Sequence, residues 1–116
     1  MEIQNKISNL PLHTEIKIQF NVHFFDNWEG EVVYSKLDEN FIWSQGYNWC
    51  DKFLPETCQK QGINVCGQDK PDKLSNFVQF QGKHSSSEIN LTIGSNINKD
   101  PCTASWGIDD IMIFIL

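Results

Sequence analysis

Five carboxylates stand at positions where they could do chemistry. Asp26, Glu29 and Glu31 fall within one short stretch, Asp26-Asn27-Trp28-Glu29-Gly30-Glu31, and Asp109 and Asp110 are adjacent near the end of the chain. Convergent carboxylates with turn carbonyls suit Ca²⁺, a hard cation that takes roughly six to eight oxygens at about 2.3–2.6 Å. Asp26 lies where one strand pattern ends, and Asp109 and Asp110 open the last one. First and last strands commonly neighbour each other in a sandwich, which would gather all five around one ion. A plainer role suits the same residues, with Asp26 and Asp109 bonding to backbone N–H groups in turns and the glutamates solvated. Catalysis has no comparable support. Glu29 and Glu31 are two apart on a strand and point the same way, so they cannot flank a scissile bond. Gly-x-Ser-x-Gly is absent, and the three histidines are scattered, His13 in a turn, His23 on a polar strand face and His84 in a loop. These read as surface residues of a non-enzyme.

A second group is aromatic. Phe41, Trp43, Tyr47, Trp49 and Phe53 crowd one region with Gln45, Asn48 and Asp51 between them. A sugar ring packs its C–H face on a flat aromatic while amides and carboxylates take its hydroxyls. Tyr47, Asn48, Trp49 and Asp51 are therefore the candidate ligand-binding residues. Phe41 and Trp43 fit the core better, Trp49 also suits packing on a disulfide, and Trp28 and Trp106 suit wedges under the acidic turn.

The elements that must hold these residues are strands. The chain has 116 residues, enough for one domain spanning 1–116. Ala104 is its only alanine, while β-branched residues are plentiful. Residues 15–25 alternate cleanly, with Ile16, Ile18, Phe20, Val22 and Phe24 on one face and Lys17, Gln19, Asn21 and His23 on the other. Residues 31–37 and 40–44 read as a hairpin, and 74–81 and 88–95 as two further strands joined by His84-Ser85-Ser86-Ser87. Residues 106–116 are apolar on both faces after Asp110, the pattern of a central or doubly covered strand. Residues 1–9 form a possible N-terminal arm, and 45–73 a Cys-rich loop without sustained period. The fold class is all-β, an antiparallel two-sheet β-sandwich of jelly-roll type.

Cys50, Cys58, Cys66 and Cys102 have no C-x-x-C pair, so disulfides fit better than zinc and place the chain in an oxidising compartment. Three pairings are open, with one bridge expected to tie Cys102 to the 50–66 loop. Asn90-Leu91-Thr92 is an N-glycosylation sequon that suits an extracellular chain. No apolar run is long enough to insert in a membrane. The formal charge is −6 with nine lysines and no arginine, which argues against nucleic-acid partners. The apolar ending suits a module cut from a longer protein.

Three motifs occur in order, Leu10-Pro11-Leu12-His13-Thr14, Phe25-Asp26-Asn27-Trp28-Glu29-Gly30-Glu31 and Ser105-Trp106-Gly107-Ile108-Asp109-Asp110-Ile111. They resemble the L-P-x-H-T, F-x-I-D-S-W-D-G-E and S-W-G-I-D-N-V segments of a group of extracellular jelly-roll, lectin-like modules in microbial and protist surface proteins. Asn27, Glu29 and Asp110 depart from the usual Ser, Asp and Asn. The resemblance implies a surface module more than an activity. The function expected is non-catalytic binding of a glycan or surface protein, with calcium and disulfides steadying the fold. The alternative is a structural subunit of an extracellular filament or coat that self-assembles through strand edges.

Overall fold

The computed structural model describes residues 2–50, 55–64, 67 and 70–116, with the side chains of residues 60 and 61 left aside. Among the described residues, seven strands form two antiparallel sheets: β1 (Glu2–Ile7), β2 (Glu15–Asp26), β3 (Glu29–Leu37), β4 (Asn40–Asn48), β5 (Lys73–Lys83), β6 (Ile89–Ser95) and β7 (Ala104–Ile115). One sheet has the order β1-β6-β3-β4 and the other β5-β2-β7. The chain is an all-β, two-sheet sandwich, as its periodicity predicts.

β2 shows why. Its alternation turns Ile16, Ile18, Phe20, Val22 and Phe24 into the space between the sheets, where each is buried. Ile89, Leu91 and Ile93 of β6, with Val33 and Leu37 of β3, meet them from the opposite sheet. Burial of each such side chain is worth about 1.5–3 kcal/mol, so this interdigitated layer carries the fold. The β3–β4 turn, Asp38-Glu39, has φ of 51° and 71° at its two residues. That left-handed pair matches the twist of the flanking strands and fixes the hairpin register.

Four features differ from the sequence reading. Residues 2–7 are not a free arm: they pair with β6 from Glu2↔Gly94 to Ile7↔Ile89. The 45–73 region is less irregular than its lack of period suggested, because β4 runs on to Asn48 and a short helix α1 spans Pro55–Gln61. The 84–87 segment joins strands of different sheets, so it is a crossing between layers and not a hairpin turn. Finally, β7 is neither central nor covered. It is the edge of its sheet, with Ile111, Met112, Phe114 and Leu116 exposed.

Candidate functional site

The acidic turn is held at one end of the sandwich. Trp28 is fully buried against Phe24, and its indole Nε1 donates to the Ser105 carbonyl at 2.8 Å. This pins the β2–β3 turn to β7, the wedge role expected of this residue. Gly30, at φ 97°, then lets the chain swing Glu29 and Glu31 to one side. Lys99, from the loop before β7, lies between them, with its Nζ 2.8 Å from Glu29 and 3.0 Å from Glu31. The same ammonium donates to the Asn27 carbonyl at 2.7 Å.

The hydrogen bond and charge of Lys99 hold the Glu29 carboxyl below the ordinary glutamate range. Burial pushes Glu31 up, but the Glu29 N–H at 2.6 Å and the Lys99 ammonium outweigh it and hold it low as well. Desolvation likewise works against the charge on Lys99, and the two glutamates overcome it. A lysine therefore occupies the place that the carboxylate spacing offered to a cation. The sequence reading missed it because Lys99 is remote in sequence, although its approach follows from the turn.

The five carboxylates do not converge. β2 and β7 are neighbours, as expected, but Asp26 pairs with Ala104 whereas Asp109 pairs with Asn21. Five residues of strand separate the two sites, about 16 Å at roughly 3.3 Å per residue. Asp26 is buried, at φ 71°; its N–H donates to the carboxylate of buried Asp72 at 2.9 Å, and the Gly67 backbone lies against its carboxylate. Asp109 is on the outer sheet face, where His23 Nε2 lies 3.0 Å from it and its hydrogen bond holds the carboxyl below the ordinary aspartate range. Asp110 accepts a long contact of 3.4 Å from the Asn21 amide. As one set these residues do not fit a calcium shell, and among the described residues no group of three or more His, Cys, Asp or Glu is placed to hold a metal ion.

The aromatic candidates are also dispersed. Tyr47 packs against Phe24, and its hydroxyl donates to the Pro71 carbonyl at 3.0 Å, so it serves the core. The Asn48 amide oxygen accepts from the Cys50 N–H at 3.1 Å, closing a local turn. Trp49 is half-buried under the Lys70 ammonium, 5.7 Å from its ring centre. Asp51 and Phe53 lie outside the described residues. Trp43 packs edge-on against Phe20 in the core as expected, but Phe41 is exposed beside Tyr34 and Lys36.

Cys50 and Cys58 are joined by a disulfide that staples the end of β4 to α1. Cys102 carries a free, exposed thiol, so the bridge expected from it is not formed; Cys66 lies outside the described residues. Asn90 of the sequon is half-buried in β6, between β1 and β3. Two of the three histidines are not on the surface. His13 and His84 form a buried pair at the opposite end of the sandwich from Lys99, with His84 Nε2 3.1 Å from Asp38 of the other sheet.

The two flanks of the sandwich differ. Between β4 and β5, Gln45 and Asn76 exchange amide hydrogen bonds at 3.1 and 3.3 Å and join the sheets. Between β1 and β7 the sheets part over a mainly apolar cleft lined by Ile3, Leu91, Ile93 and Ile111, with Gln4 and Asn5 of β1 beside them. Beside it runs the free edge of β7, with Ile111 47%, Met112 48% and Leu116 54% exposed. Among the described residues, no strand pairs with that edge. The apolar sequence of 111–116 was the available signal, but the same pattern also describes a buried strand. No protein-family model matches the chain, and neither the curated proteins nor the solved structures contain a significant match to it.

Proposed function

We propose that the chain is a non-catalytic, extracellular interaction module that recognises a protein partner through the open β1–β7 flank. One observation carries this reading: past the bulge at Asp110, the free edge strand presents consecutive apolar side chains, Ile111 to Leu116, beside an apolar cleft. Edges of that kind are templates for strand addition, and free-standing proteins normally blunt them with lysine, proline or bulges. The Cys50–Cys58 bridge is consistent with an oxidising compartment. The edge reading is tested with a peptide copying residues 107–116, titrated into the protein while backbone amide signals are followed. Saturable changes confined to β7 and the cleft support it, and a peptide that leaves β7 unchanged overturns it.

A glycan reading has its own observation on the outer face of the β5-β2-β7 sheet. Phe77 is 58% exposed there, opposite Asn21, with Gln19 and Gln79 paired beside them. An exposed ring among amides is the arrangement sugars need. A glycan array probed with wild type and Phe77→Ala decides it: wild-type signals that the variant loses favour this face, and a blank array removes it.

A further inference from the structure

We infer that the partner is a second copy of this chain, paired antiparallel through β7 with Ile113 on the two-fold axis. The proposal rests on the edge reading above and names the occupant of that edge.

The backbone selects this geometry. Glu15 and Leu116 exchange both of their backbone hydrogen bonds, at 2.9 and 3.2 Å. Alternation along the register Lys17↔Phe114 and Gln19↔Met112 then turns the peptide groups of Phe114 and Met112 toward β2. Those of Ile113 and Ile115 point to the free edge. A strand paired with itself about Ile113 brings these outward groups into bonding positions, Ile113 with its own copy and Ile115 with Ile111.

The side chains agree with the backbone. Met112 comes opposite Phe114 on the outer face, and Ile111 opposite Ile115 on the face that borders the cleft, so apolar meets apolar along the paired stretch. A bulge limits the register. The chain bulges between the Gln19 and Asn21 pairings, with Asp110 at φ 54°, and this ends the regular edge. Asp109 stays beyond the paired residues, and Asp110 reaches only the solvent-facing end, opposite Leu116. Moving the axis to Ile111 would instead carry the pairing into the bulge at Asp110, where the regular alternation of outward peptide groups is broken.

Such a contact is isologous and consumes the edge that makes it, so assembly stops at two and does not grow into a filament. The joined sheet would run β5-β2-β7 into β7-β2-β5 of the second copy. A single strand edge with its neighbours lies at the small end of specific interfaces, about 1,000 Å² or less, the size class of weak and transient contacts, so dimerisation is to be sought from about micromolar to about millimolar protein.

Sedimentation velocity of the full chain across that concentration range provides the test. Wild type is expected to shift from monomer to twice the monomer mass, Ile111→Lys to stay monomeric with an unchanged melting temperature, and Phe41→Lys, on the other flank, to behave as wild type. Amide hydrogen exchange of wild type gives a second readout that needs no variant. Ile113 and Ile115 should slow as concentration rises, while Met112 and Phe114, already bonded to β2, should not change. A wild type that is monomeric throughout, a species that keeps growing beyond two, or a dimer that Ile111→Lys leaves intact overturns the proposal. If wild type is monomeric but the 107–116 peptide still binds β7, self-pairing fails while the edge reading stands. If Ile111→Lys does not fold, the exchange pattern decides alone: unchanged Ile113 and Ile115 rates across the range overturn self-pairing.

Discussion

His13 Nε2 lies 2.7 Å from His84 Nδ1, and the other nitrogen of each ring is also bonded, His13 Nδ1 to the Pro11 carbonyl at 2.7 Å and His84 Nε2 to Asp38 at 3.1 Å. Both rings are thereby held at both of their nitrogens. Asp38 in turn accepts the Asn90 N–H at 2.9 Å. The chain of contacts locks the turn before β2 to the β3–β4 hairpin of the opposite sheet.

Replacing His84 with alanine should lower stability by about 1–3 kcal/mol, because it strands the His13 nitrogen and removes the ring that Asp38 contacts. Urea melts of His84→Ala and of Asp38→Asn measure this. A wild-type midpoint in both would show that the pair is decorative.

Lys99 sets the acid limb of stability. Glu29 and Glu31 have folded-state carboxyls held below the ordinary glutamate range. A lowered carboxylate contributes stability that is complete above its unfolded range and is lost as pH falls through its folded value. Wild type should therefore lose melting temperature on acidification below the usual glutamate range. Lys99→Met should melt several degrees lower at neutral pH and show a flatter acid limb, since the lowering of both carboxyls goes with the ammonium. Thermal melts at stepped pH provide the comparison.

Because Lys99 already sits between Glu29 and Glu31, a chelator should leave the wild-type melting temperature unchanged, and millimolar Ca²⁺ should not raise it. A calcium-dependent rise that Glu31→Gln removes would contradict this and return the ion to the turn.

The Cys50–Cys58 bridge closes a short loop, for which the chain-entropy relation gives about 2.5 kcal/mol. Mild reduction should cost roughly that amount, whereas Cys102→Ser should be silent. A thiol reagent applied to the native protein should label Cys102, because its thiol is free and exposed. Mass mapping of the labelled peptide checks the assignment.

The Ser35 hydroxyl is fully buried without a hydrogen-bond partner. An unsatisfied buried polar atom carries an uncompensated desolvation cost. Ser35→Ala should thus be neutral or stabilising by up to about 1 kcal/mol, in contrast to the usual loss from truncation in a core. Denaturant titration of this variant reads the sign directly.

The core strands were readable because burial on one face writes its period into the sequence. Ile16 to Phe24 alternate for that reason, and β2 falls where they predict. β1 was less visible, because only Ile3 and Ile7 are apolar in Glu2–Ile7, and an edge strand needs no more. The error over β7 has a different origin: a strand covered by its own fold and one awaiting another surface have the same composition. The five carboxylates are kept apart by register. Asp26 and Asp109 do lie on neighbouring strands, but pattern cannot give the register that sets them five residues apart. Lys99, His84 and Asp38 meet their partners only once loops from both sheets are brought to the same ends.

β1 and β7 run in the same direction along one flank, with Glu2 at the Lys99 end and Leu116 at the histidine end of a body 54 Å long. Tension applied between these two residues acts along the strands, not across them. The β1–β6 and β7–β2 ladders then bear the load in shear, with many hydrogen bonds strained together instead of opening one after another.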